Sequence, residues 1–144
     1  MRRRSEEQGQ TALLIVGFFL VAVLLVVVVV DASAAYLRRQ ELDALADGAA
    51  LAAADAIAEE QVYTQGLGTQ AVLDPAAARQ LVAEYLDRVG AHGRYAGLRY
   101  VVSAAGDSVE VKVTTPLRLP FAPPGWEERT QVSGTAVAVA VVGE

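Results

Sequence analysis

Cysteine is absent from the 144 residues and histidine occurs once, at position 92. Thiolate chemistry, disulfides and histidine–cysteine metal sites therefore have no residues to draw on. His92 lies in the short run Gly90-Ala91-His92-Gly93 with no metal-ligand spacing around it, and reads as a surface loop histidine. Ser5, Ser33, Ser103, Ser108 and Ser133 stand outside any nucleophile-elbow context, so a triad would have to recruit His92 and an unidentified acid. Gly66 and Gly68 are followed by neither a spaced third glycine nor a lysine, which excludes a P-loop and a dinucleotide fingerprint. Asp43, Asp47, Asp55 and Glu59 recur along one segment, but carboxylates on a single helix rarely form a cation cage alone; they read as a solvated face. The expectation is a protein that is not an enzyme, with no catalytic, metal-binding or cofactor-binding set.

What remains is mechanical, and it begins at the N-terminus. Residues Thr11 to Val30 carry no charge, with Arg2, Arg3 and Arg4 before them and Asp31 immediately after. At about 1.5 Å per residue, twenty helical residues cover the roughly 30 Å hydrocarbon core of a bilayer. Arginines on one flank predict that residues 1–10 are cytoplasmic, residues 11–30 form a single transmembrane helix, and residues 31–144 form one extracytoplasmic domain. Ala32-Ser33-Ala34 also has the small-x-small form that signal peptidase accepts, although twenty apolar residues exceed the usual signal h-region of about 7 to 15. From Asp31 onward acidic residues outnumber basic ones fifteen to nine, which argues against a nucleic-acid partner. The chain is rich in alanine and valine and favours arginine over lysine, as a GC-rich bacterial genome would encode.

From Asp31 to Gln61 there is no proline and one glycine, Gly48, so the membrane helix is expected to continue outward. Ala35, Arg38, Leu42, Leu45, Ala49, Ala52 and Ala56 alternate at spacings of three and four, which places them on one seam. Small side chains let another backbone come close, so this seam is expected to pack against partner helices or a second copy of the chain. Gly66-Leu67-Gly68-Thr69 reads as a turn, and Asp74-Pro75 as the cap and first residue of a second helix. That helix has Leu81, Val82, Tyr85, Leu86 and Val89 on its apolar stripe and ends near Gly90. Leu98 to Ser103, Ser108 to Thr115 and Gln131 to Val142 read as strands, the first two joined through Gly106-Asp107. The fold class is therefore α+β: a transmembrane helix extended into a long helix, a second short helix and a small antiparallel sheet of about three strands.

The last strand is apolar on both faces, with Val132, Gly134, Ala136, Ala138 and Ala140 on one and Thr135, Val137, Val139 and Val141 on the other. That pattern predicts a central strand or one covered by a neighbouring subunit. Between the second and third strands, residues 119–126 form a proline-rich loop. Its Phe121 and Trp126 either cap the local core or serve as a binding anchor.

The order Gly9-Gln10, apolar span, Val30-Asp31, Tyr36, Arg38-Arg39, Glu41-Leu42, Ala46-Asp47 and Ala49-Ala50-Leu51-Ala52-Ala53-Ala54 resembles the N-terminal region of TadE/TadG-like proteins. These are assembly components of Flp (tight-adherence) pili, a branch of the type IV pilus systems. The resemblance covers residues 8 to 55 and implies a pilin-like or pseudopilin-like protein of the cytoplasmic membrane whose partners are membrane lipid and other pilus-assembly proteins. It also makes Gly9-Gln10 the candidate prepilin-peptidase site. Processed TadE-type pseudopilins carry glutamate at the fifth position after the cleaved glycine, whereas that position here is Leu14, and Glu6 and Glu7 precede Gly9. The departure argues against cleavage there and favours a TadG-like anchor or accessory subunit over a major pilin. A secreted or membrane-tethered binding module, using the sheet and the 119–126 loop, is the alternative.

Overall fold

The computed structural model describes residues 3–65, 74–121 and 129–140. Three helices, α1 (Arg3–Gln65), α2 (Pro75–Arg88) and α3 (Ala91–Arg94), precede three strands, β1 (Arg99–Ala105), β2 (Ser108–Arg118) and β3 (Arg129–Val139). This is the α+β architecture that the sequence predicts. The Gly66–Thr69 turn lies outside the described residues.

Helix α1 is 63 residues long, about 95 Å at the rise of an α-helix. It is unbroken because no proline interrupts it and the strong helix formers alanine and leucine are abundant. Its two halves live in different surroundings. Leu13 through Val30 project away from the rest of the chain, Phe18 being 76% exposed, and none of the apolar stretch is buried within the protein. That part of the helix is long and apolar enough to cross a membrane. Farther along, Leu42, Ala46, Ala49, Ala50, Ala53, Ala54 and Ile57 are buried against the sheet and α2.

Asp74 caps α2, its carboxylate accepting from the Ala76 N–H at 3.0 Å, and Pro75 opens the first turn. Ala78, Val82 and Leu86 are buried, while Leu81 and Tyr85 pack at the margin of the core and Val89 turns outward. The Tyr85 hydroxyl occupies the space that a side chain at Gly48 of α1 would need. A glycine inside a helix is therefore explained by packing, since a side chain at that position would displace the Tyr85 ring.

The sheet is an antiparallel meander in the order β1-β2-β3, with Val102 opposite Val111 and Val111 opposite Ala136. Along β2, Val109, Val111, Val113, Thr115 and Leu117 face inward and alternate with more exposed residues. The predicted hairpin forms at Gly106-Asp107, where Gly106 takes a φ of 62°. Strand β2 runs past the predicted Thr115 to Arg118 and so includes Pro116. Proline is tolerated there because β1 begins at Arg99 opposite Thr114, leaving Pro116 paired only with Gln131 of β3.

One expectation is corrected by the topology: β3 is an edge strand, not a central one. Gly134, Ala138 and Ala140 are buried because α1 lies against them, and a side chain at Gly134 would run into the backbone of Leu42 and Asp43. Thr135 donates its backbone N–H to Asp43 Oδ1 at 3.1 Å, so the helix satisfies an edge donor that no strand pairs with among the described residues. The opposite face leaves Val137 and Val139 more than half exposed. Alternation of apolar residues thus reported close cover on one face of the strand, supplied by α1 of the same chain. Asp43 is accordingly more than part of a solvated face, whereas Asp47, Asp55 and Glu59 are exposed.

Two glycine substitutions should therefore behave oppositely. Gly134→Ala is expected to lower stability by about 1–3 kcal/mol, because the added carbon meets helix backbone that cannot move aside. Gly93→Ala, in open space within α3, is expected to be neutral or to raise stability by up to about 1 kcal/mol. Denaturant titration followed by circular dichroism measures both.

Candidate functional site

The residues that could do chemistry are engaged in local structure. His92 sits in α3 rather than in a loop, half-exposed, with Nε2 3.7 Å from Asp87 Oδ1 and its ring tilted against Tyr100 at 6.4 Å between centroids. Ser33 donates to the Val29 carbonyl at 2.7 Å and Ser108 to the Ala105 carbonyl at 2.9 Å. Both are backbone bonds of the kind hydroxyls make in helices and turns. Among the described residues there is no cluster of three or more potential metal ligands. The candidate site is therefore a surface, and α1 supplies most of it.

The predicted seam divides on the structure. Leu42 and Ala49 are fully buried in this chain's own core; Leu45, Ala52 and Ala56 are half-buried along its flank, and Ala35 is half-buried nearer the apolar stretch. Arg38 is half-buried, held at 3.1 Å from Glu41 and over the Tyr95 ring at 5.2 Å. The face that α1 leaves open carries Leu37, Ala44 and Leu51, all exposed and spaced by seven. This second register was hard to see in the sequence, because in a run such as Ala49 to Ala54 nearly every position is small and apolar, and periodicity has little contrast to report.

A second group gathers where the apolar stretch ends. Val29, Ala32, Ser33, Tyr36 and Leu37 line a shallow apolar concavity, with the Tyr36 hydroxyl accepting from Gln40 Nε2 at 2.8 Å. An apolar ring with a polar tip suits a position between hydrocarbon and water. Asp31 reaches across ninety positions in sequence to accept the Phe121 N–H at 3.1 Å. That bond fastens the segment after β2 to the foot of the domain, and it leaves the Phe121 ring 53% exposed. Phe121 thus lies outside the core, beside the first charged residue after the apolar run. Trp126 lies outside the described residues. Gly9 and Gln10 fall within the continuous helix α1, ahead of the apolar stretch.

Residues 9–56 match the Tad family model, described as "Putative Flp pilus-assembly TadE/G-like". The match takes in 48 of the 144 residues, all of them on α1. No curated protein and no solved structure matches the chain.

The division of the seam separates two kinds of substitution. Ala49→Leu is expected to destabilise the fold by about 1–3 kcal/mol through overpacking of a fully enclosed position. Leu51→Ser, on the open face, is expected to leave the melting temperature within about 2 °C of wild type while altering any association made through α1. Thermal melts paired with cross-linking of the membrane-extracted protein read the two effects apart.

Proposed function

We propose that this protein is a non-enzymatic, single-pass membrane component of a Flp/Tad pilus or related secretion assembly, with a TadG-like anchoring or accessory role. The observation that carries this reading is the coincidence of the family match, residues 9–56, with one continuous helix that leaves an exposed apolar stretch and enters the core of an α+β unit. In this reading residues 1–10 are cytoplasmic, residues 11–30 cross the cytoplasmic membrane and residues 31–144 stand outside it. The mechanism is positional. The span holds the protein in the bilayer, the open face of α1 with Leu37, Ala44 and Leu51 meets other membrane components of the assembly, and the sheet faces outward.

Retention of the span is favoured over cleavage after Ala34 by the bond between Asp31 and Phe121, which cleavage there would remove. The absence of a carboxylate within Thr11 to Val30, and of glutamate at position 14, favours an accessory role over that of a polymerising pilin.

Because the native chain has no cysteine, single-cysteine labelling reports topology without background. Asp107→Cys is expected to react with a membrane-impermeant maleimide on intact spheroplasts, and Ser5→Cys only after lysis. Reaction of Ser5→Cys on intact spheroplasts would reverse the orientation, and an intact mass beginning at Ala35 would replace the anchored component with a secreted module. Deletion of the gene in a piliated host is expected to abolish or reduce surface pili, restored by the full chain but not by a form lacking residues 11–30.

A further inference from the structure

Between α1, the end of α3 and the last residues of β2 lies a cavity of about 430 Å³ whose lining includes Arg38, Arg94 and Arg118 and, among the described residues, no acidic one. This is unusual for the chain, which carries a formal net charge of −5 and only nine basic residues from Asp31 onward. Three of those nine converge here from three separate elements. Arg38 is fixed by its contact with the Tyr95 ring and by Glu41, which approaches one guanidinium nitrogen from outside the lining. Arg94 and Arg118 have no carboxylate within ion-pair distance among the described residues.

The second observation is independent of charge. Thr115 also lines the cavity, is 2% exposed, and its hydroxyl has no hydrogen-bond partner among the described residues. Buried hydroxyls are rarely left unpaired, because desolvation then goes uncompensated. On the inward face of β2 this residue stands in one row with Val109, Val111, Val113 and Leu117, so an apolar side chain would have satisfied the fold. A buried hydroxyl in the same lining as three arginines, with no acid among its described residues, is of the donor type that a tetrahedral oxyanion takes. The wall is also stiff: the Pro116 ring packs against the Gly97 backbone, where a φ of 76° and the lack of space both favour glycine.

We propose that this cavity is a binding site for a phosphate group, with Arg94 and Arg118 as its principal charged donors, Arg38 as a pre-positioned third and the Thr115 hydroxyl as the buried donor. Two sources present that chemistry, a phospholipid headgroup and a dissolved phosphate. The headgroup is within reach if residues 11–30 cross the bilayer, since Arg38 stands only about 12 Å along the helix from Val30 and the headgroup layer adds several ångströms to the hydrocarbon. The phosphate site itself does not depend on that reading.

The test uses the full chain in micelles of a phosphate-free maltoside detergent, melted in inorganic phosphate and in chloride of equal ionic strength, and again in mixed micelles containing phosphatidylglycerol. Binding to the folded state raises the melting temperature. A rise with phosphate over chloride identifies a dissolved anion as the source, and a rise only with phosphatidylglycerol identifies the headgroup. In either case the rise is expected to vanish in Arg94→Gln/Arg118→Gln, two exposed positions whose neutralisation leaves the core intact. Thr115→Val is expected to weaken binding about tenfold while melting no lower than wild type without ligand. No rise with either source, or an equal rise in the double variant, would overturn the proposal.

Discussion

The domain depends on one close approach, that of α1 to β3. Gly134 has no side chain because the backbone of Leu42 and Asp43 occupies its place, and the small residues Ala138 and Ala140 along the same face are buried as well. On the helix side, Ala46, Ala49, Ala50 and Ala53 match them. A core built this way gains little from each side chain and much from backbone proximity, since close-packed atoms supply dispersion contacts that a larger gap would forfeit. The bulk that alanine lacks comes from β2 and α2, where Val109, Val111, Val113, Val82 and Leu86 fill the space between them.

Edge protection follows from the same contact. An antiparallel meander of three strands has two bare edges, and its last strand is apolar on both faces, a pattern that invites pairing with another chain. The bond from Thr135 to Asp43 engages one donor on that edge. Asp43 is also 3.9 Å from Arg39, so a residue in a nominally solvated row orders itself between a surface cation and a strand.

Element types were legible because local rules agreed with the fold. Asp74-Pro75 started α2, Gly106-Asp107 turned the hairpin, and the proline-free stretch after Asp31 continued the helix. Position within the sheet was not legible, because alternation records how each face is covered and not by what. The seam shows the same limit: Leu42 and Ala49, expected to meet a partner, pack in the chain's own core, because spacing cannot distinguish the chain's own sheet from a foreign helix. The three arginines that line one cavity with Thr115 left no sequence signal at all. They stand at positions 38, 94 and 118, and only the fold of α1 beneath β2 brings them to one cavity.

The unbroken course of α1 makes the α+β unit and the apolar stretch one lever. No glycine or proline between Val30 and Gly48 offers a hinge, and the Asp31 to Phe121 bond braces the domain at its foot. Transmembrane helices tilt by about 20° on average, adjusting to the thickness of the bilayer around them. The helix continues about 50 Å beyond Val30, so a change of ten degrees in tilt would sweep its far end sideways by roughly 9 Å. Membrane thickness would thereby set the lateral position and inclination of everything carried above it, and a pull on the sheet would be felt in the lipid as torque.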